Sequence, residues 1–312
     1  MEKPVNHPVR FQVLNLPNAP WEQLLRRVRL VEDLGFDVLA TADHFVDWTN
    51  PPSPWLEPST LLGAIARETS TITLSTCVAQ IPLRDPATVA RQTLGLDHIS
   101  NGRFELGLGT GLNIDPSYQM MGIPNWPMKE RVARFKEYLE VVDLLLSNEV
   151  SSYDGEYYQI DNCYMNPRPL TQPRPPIVVA AMGPKMLKLA ARYADVWNSM
   201  SFSQTIDEQL EETRQRVARM RENCESIGRD PGSLRMSYSM FDPNARSQGG
   251  MFNYYDSEDV FVDIVERIHA LGITDFSVYY PMRDEQLPSF ERLATDVIPE
   301  LRKTLTASVS GG

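Results

Sequence analysis

The segment ITLSTCVAQIPLRDPATVARQTLGLDHISNGRFELGLG, residues Ile72–Gly109, contains a complete strand–helix–strand unit. It opens with a β-branched and apolar run, Ile72–Ala79, and closes with a second short apolar run, Phe104–Gly107. Between them Pro86–Ser100 has helical composition. Asp85 stands before it and Pro86 at its first turn, where a missing amide hydrogen leaves no bond unmade. The same alternation extends in both directions. Strands are expected at Val9–Leu14, Asp37–Ala42, Ile177–Ala181, Asp195–Asn198, Leu234–Met240 and Asp275–Tyr280. Helices are expected at Trp21–Leu34, Pro58–Glu68, Lys129–Leu146, Pro184–Tyr193, Ile206–Ile227, Ser257–Leu271 and Pro288–Leu305. Gly35 and Gly272 follow two of these helices as C-caps, and Pro184 follows Gly183 as Pro86 follows Asp85. Leu24, Val28, Val31 and Leu34 form one apolar stripe, and Leu139, Val142, Leu145 and Leu146 another.

Eight strands alternating with eight helices imply a parallel sheet covered by helices. No early Gly-x-Gly-x-x-Gly turn marks a dinucleotide crevice, so the closed form is favoured: an α/β fold of the (β/α)8 TIM barrel type with long insertions at the loops. The insertions fall at Leu112–Met128, Ser147–Pro175 and Phe241–Asp256, and Tyr153–Tyr158 within the second reads as a hairpin turn. One domain is expected over residues 1–306, followed by a disordered tail at 307–312.

Lys and Arg number 30 against 41 Asp and Glu, a net charge of −11, which disfavours nucleic acid and anionic membrane surfaces as partners. The three cysteines are widely spaced without a CxxC pair, so neither a disulfide framework nor a zinc site is expected. No run approaches the ~20 apolar residues of a membrane span, and a cytoplasmic location is the default expectation.

Barrel enzymes carry their reactive groups just beyond the C-terminal ends of the strands. The second strand runs into Asp43 and His44 there, while His7, His98 and His269 fall in the N-terminal segment or on helices. An imidazole in that place can exchange a proton near neutrality, and Trp48 could wall an aromatic ring. Cys77, ending the third strand, reads more readily as a small core residue than as a nucleophile. The fourth strand leads into Gly107, Gly109, Thr110, Gly111 and Asn113, where alternate glycines admit a flat ligand. After the fifth strand, Met182, Gly183, Lys185 and Met186 open a helix whose free amides suit an anion. No His-x-His or HExxH pair, no strand lysine among the six lysines and no serine nucleophile elbow is found. That argues against metal hydrolases, imine aldolases and serine hydrolases.

Four motifs taken in order, Thr41–Phe45, Ile81–Ala87, Leu96–Arg103 and Leu106–Gly111, resemble the bacterial luciferase-like monooxygenase family and its deazaflavin-dependent relatives. Asn166–Pro169, Gln172–Ile177, Gly183–Pro184 and Ala194–Asn198 extend the resemblance from about Phe11 to Leu305. It implies a ring cofactor at the barrel mouth, a small-molecule substrate, a homodimer, and a non-proline cis peptide at Cys77–Val78, with Thr76–Cys77 as the alternative. Asp43, Cys77, Val78, Gly109, Thr110, Gly111, Asn113, Met182, Gly183, Lys185 and Met186 are the cofactor-binding residues it implies, with His44 and Trp48 catalytic. The His44–Trp48 spacing is similar to that of deazaflavin-dependent sugar-phosphate dehydrogenases. The glutamate those enzymes carry after Thr-Gly is Leu112 here, which argues against sugar-phosphate oxidation. The resemblance favours 8-hydroxy-5-deazaflavin (coenzyme F420), with FMN as the alternative. Two further readings stay open: a non-catalytic flavin-binding barrel, and a phosphosugar lyase or isomerase using Gly183–Lys185. Met120, Met121, Trp126, Phe252, Tyr254 and Tyr255 either wall a pocket or pack loops.

Overall fold

The computed structural model describes residues 7–240 and 254–310, with side chains through Leu305. In chain order the elements begin β1 (Arg10–Leu14), α1 (Trp21–Asp33), β2 (Val38–Thr41), α2 (Pro58–Glu68), β3 (Thr73–Thr76), β4 (Ala79–Gln80), α3 (Pro86–Ser100) and β5 (Phe104–Gly109). There follow α4 (Ser117–Met121), α5 (Met128–Ser147), β6 (Val150–Asp154), β7 (Gln159–Tyr164), β8 (Ile177–Ala180), α6 (Pro184–Tyr193) and β9 (Val196–Ser199). The last are α7 (Ile206–Ser226), β10 (Arg235–Ser239), α8 (Glu258–His269), β11 (Asp275–Tyr279), α9 (Leu287–Arg292) and α10 (Ile298–Ser310).

The third strand, expected unbroken over Ile72–Ala79, is two pieces. β3 and β4 both pair with β5 in parallel, Leu74 opposite Phe104 and Ala79 opposite Leu108, and the break between them holds the cis peptide Cys77–Val78. With these pieces counted as one strand, the series β3-β2-β1-β11-β10-β9-β8-β5 is closed by the β3–β5 pairing. Pairings of β1 with β11, β10 with β11 and β9, and β5 with β8 are parallel. This is the (β/α)8 barrel. β6 and β7 form the antiparallel hairpin expected within the second insertion.

Two compact units make up the described chain. One comprises residues 7–15, 30–39, 181–240 and 254–310. Its core stacks Phe11 on Phe276 at 5.3 Å between centroids and Phe36 on Phe290 at 5.1 Å. The other comprises residues 16–29 and 40–180. There the predicted stripe of α5 is fully buried at Leu139, Val142, Leu145 and Leu146. Local chemistry sets its helix ends: Asp85 accepts from Thr88 N (2.9 Å) at the start of α3, and Asn101, in the left-handed conformation at φ 59°, closes it.

The C-terminal helix expected over Pro288–Leu305 is instead α9, a wide π turn at Leu293–Val297, and α10. The backbone remains helical through Ser310, where a tail was expected from 307; Gly311 and Gly312 lie outside the described residues. Residues 241–253 of the third insertion, with Phe252, also lie outside them. Among the described residues no helix is long and apolar enough to cross a membrane.

Candidate active site

β2 is buried at every position, and the chain leaves it through Ala42 and Asp43 into His44. Gln80, the last residue of β4, shapes that exit. Its backbone N–H donates to Asp43 Oδ2 (3.1 Å) and its side-chain Nε2 to the Asp43 carbonyl (2.5 Å). Arg84 adds a guanidinium that bonds Asp43 Oδ2 on one side and Glu57 Oε1 (2.6 Å) on the other. Burial pushes the Asp43 carboxyl up from its ordinary value, against the opposing pull of Arg84.

His44 therefore projects from a braced turn. Its Nδ1 lies 2.6 Å from Asp115 Oδ2, and both side chains are shielded, 15% and 0% exposed. Asp115 is held in turn by Ser117, whose backbone N–H donates to Oδ1 (2.8 Å) at the entrance to α4. Burial raises the Asp115 carboxyl, but the His44 hydrogen bond and charge with the Ser117 bonds outweigh it and bring the group down to about 2. A carboxylate accepts only, so His44 Nδ1 carries a hydrogen, and whenever the ring is neutral Nε2 keeps the lone pair. Among the described residues Nε2 has no partner. Trp48 stacks 6.2 Å from the imidazole at 22°, and Trp55 meets it edge-on at 5.9 Å while donating Nε1–H to the His44 carbonyl (2.8 Å).

Asp115 was absent from the sequence reading, which stopped at the missing carboxylate of position 112. The structure brings a carboxylate to His44 from the same loop, three residues later. Because its proton affinity is depressed, Asp115 stabilises the fold above the ordinary aspartate range, near pH 3.8, and that contribution is lost as pH falls to about 2. At about 1.4 kcal/mol per pH unit the loss is about 2 kcal/mol. Asp115→Asn is expected to lower stability at pH 6 and to narrow its difference from the parent chain by pH 2, as read by urea unfolding.

Packing across the sheet requires glycine at two positions of β5. A Cβ at Gly107 would collide with the Thr76 carbonyl, and one at Gly109 would come within 2.6 Å of Val78 Cγ2. The open face of the strand is thus filled by the Thr76–Val78 backbone and side chains. Gly111, at φ 73°, lies against Tyr118, Gln80 and Arg131. Thr110 and Asn113 give their carbonyls to Arg131 Nη1 (2.7 Å) and Asn125 Nδ2 (2.8 Å). In the other unit, Gly183 precedes α6 without a side-chain cap, and a Cβ there would meet nothing within 4 Å. Lys185 is exposed beside it, Met182 half-buried and Met186 buried. Tyr254 and Tyr255 pack inward: Tyr254 Oη accepts from Tyr279 N (3.0 Å), and the Tyr255 hydroxyl bonds the Tyr279 carbonyl. Trp126 lies under the Arg134 guanidinium at 4.2 Å, whereas Met120 and Met121 are exposed.

The residues fit a polar ring ligand. Thr41 Oγ1, at the last position of β2, and Asp43 Oδ1, just beyond it, are buried without any hydrogen-bond partner, and such groups are rarely left unpaired. The profile of the luciferase-like monooxygenase family matches residues 1–241. The chain belongs to that family. Among the family's relatives, an F420-dependent glucose-6-phosphate dehydrogenase of Segniliparus rotundus is 30% identical over 68% of this chain and 62% of its own length. The pyrimidine monooxygenase RutA of Allorhizobium ampelinum is 30% identical over 66% of this chain and 56% of its own. The chain spans about half the length of the first curated relatives it matches, uncharacterised mycobacterial proteins. The coenzyme F420-dependent tetrahydromethanopterin reductase of Methanopyrus kandleri shares the fold at 18% identity, with a TM-score of 0.77 over 94% of this chain and 99% of that one.

Proposed function

We propose that the chain is a flavin- or deazaflavin-dependent oxidoreductase acting on a small organic substrate, with 8-hydroxy-5-deazaflavin (coenzyme F420) favoured and FMN as the alternative. The observation that carries this reading is the His44–Asp115 pair at the end of β2, with Nε2 unengaged. A bound deazaflavin would supply hydride transfer, and a bound FMN oxygen chemistry as well. Asp43 and Thr41 hold buried unpaired oxygens that accept, or in the case of Thr41 donate, hydrogen bonds to a ring edge. Within the other unit, Gly183, Met182 and Lys185 at the start of α6 suit an anionic group, because the first amides of the helix have no side-chain cap.

The chain's own part in the chemistry is proton handling. When a substrate hydroxyl is oxidised, its proton goes to His44 Nε2; in the reverse direction Nε2–H returns it to the carbonyl oxygen. Asp115 stabilises the imidazolium formed in between. Trp48 and Trp55 flank the imidazole as aromatic walls beside which a substrate can pack. The exposed Phe45, Ile114 and Met120 suit an apolar substrate. A homodimer in the cytoplasm belongs to the same reading.

The test is turnover of a panel of secondary alcohols and their ketones with F420, in parallel with FMN plus a reductant under oxygen. Hydride exchange with F420 and no oxygen uptake supports the favoured form. Oxygen-dependent product with FMN supports the alternative, and no turnover in either arm removes both. Trp48→Ala is expected to raise KM about ten-fold with kcat changed less than about three-fold, because an aromatic wall binds ground state and transition state alike.

A further inference from the structure

Arg131 is fully buried on α5, yet among the described residues no carboxylate partners it. Its guanidinium donates to the carbonyls of Trp126 (2.8 Å) and Thr110 (2.7 Å), to Asn125 Oδ1 (2.6 Å) and to Tyr118 Oη (3.4 Å). The cation also lies 4.7 Å over the Tyr118 ring. A guanidinium has donors only, so the Tyr118 oxygen accepts from it and must pass its single proton elsewhere. That proton goes to Gln80 Oε1, 2.5 Å away.

The amide of Gln80 is oriented by this bond at one end and by the Asp43 carbonyl at the other. Oxygen faces Tyr118, and the NH2 group faces Asp43 O (2.5 Å) and Asp115 Oδ2 (3.1 Å). Nε2 also lies 3.0 Å from His44 Nδ1. Were Nδ1 the lone-pair nitrogen, it would accept from Gln80 but face the Asp115 carboxylate, acceptor to acceptor, at 2.6 Å. Every donor and acceptor is matched in one arrangement alone: Arg131 to Tyr118, Tyr118 to Gln80, Gln80 to Asp115, with His44 Nδ1–H donating to the same carboxylate. Gly111 packs directly on this chain of bonds, and a Cβ there would fall 2.5 Å from Gln80 Oε1 and 3.1 Å from Arg131 Nη1.

We propose that Gln80 is a positioning residue that fixes the tautomer of His44 through Asp115, with the sense of the hydrogen bonds set by the buried Arg131. The inference rests on the reading of His44 as the proton-exchanging group. The device works through a neutral amide: it donates to Asp115 without adding a charge beside the imidazole. A carboxylate in its place would have no amide hydrogen to give Asp115 and would stand as a further acceptor beside Nδ1.

The experiment is 15N NMR of the four histidine rings in the free 312-residue chain, comparing the parent with Gln80→Glu and Tyr118→Phe. In the parent, neutral His44 is expected to carry hydrogen on Nδ1, with Nε2 at the shift of a lone-pair nitrogen. In Gln80→Glu the amide donor to Asp115 is lost, and the His44 ring nitrogens are expected to leave the Nδ1–H pattern of the parent. In Tyr118→Phe, which removes one hydroxyl and keeps the ring, the Gln80 amide is freed and the His44 Nδ1 proton exchanges with water about ten-fold faster. A parent ring protonated on Nε2 overturns the proposal. So does a folded Gln80→Glu chain whose His44 signals match the parent, and if Gln80→Glu fails to fold, an unchanged exchange rate in Tyr118→Phe does the same. Because no cofactor or turnover enters these readings, failure of the oxidoreductase assignment leaves them interpretable.

Discussion

His44→Ala is expected to lower kcat by about 10²–10⁴-fold while leaving cofactor affinity within about three-fold, because a positioned proton donor contributes in the transition state and little to ring binding. The geometry behind this is specific. Nδ1 is engaged with Asp115 at 2.6 Å, so Nε2 is the only ring atom free to meet a substrate. Asp115→Asn is expected to follow with a loss of at least about ten-fold, since an asparagine can offer its NH2 to Nδ1 and reverse the tautomer. Steady-state kinetics with a separate binding titration checks both. Equal losses in binding and in turnover for His44→Ala would remove His44 from proton transfer and leave it a binding residue.

The largest effect on stability is expected at Gly107, where two strands meet backbone to backbone. A methyl there would run into the Thr76 carbonyl, an atom fixed by its own strand. Thr76 is also tied to the glycine directly, its hydroxyl donating to Gly107 O (2.8 Å) and accepting from Gly107 N (3.0 Å). Neither side can yield without breaking the pairing of β3 with β5. Gly107→Ala is therefore expected to cost about 3–5 kcal/mol, a large share of the ~5–15 kcal/mol by which a folded chain is stable. Chemical denaturation measures it, and a loss under about 1 kcal/mol would show that the strand end can open.

Periodicity carried most of the architecture. Strands and helices alternate in composition, and their caps, Asp85 with Pro86 and Gly183 with Pro184, are local signals that need no tertiary information. The position of His44 followed from the end of one strand, and the cis peptide at Cys77–Val78 from the family resemblance. What escaped was set by packing across the sheet. At Gly107 and Gly109 a side chain is excluded by Thr76 and Val78, which no window of β5 contains. Asp115 escaped because the aligned position, Leu112, was tested and the loop beyond it was not. The available signal was Asp115-Pro116-Ser117, an aspartate placed to accept an amide two residues on, which marks a turn that returns toward the strand ends. Gln80 offered no signal at all: a neutral amide acquires its role only when Tyr118, Asp43 and Asp115 surround it.

The central claim is that the residues beyond β2, β4 and β5 belong to a site for a tricyclic redox ring. Side-by-side equilibrium titration of the chain with F420 and with FMN, each oxidised and reduced and followed by fluorescence or absorbance, addresses it most directly. The account predicts saturable one-to-one binding of at least one of them at micromolar affinity, weakened by Asp43→Asn. Absence of saturation by either ring at millimolar concentration would contradict it.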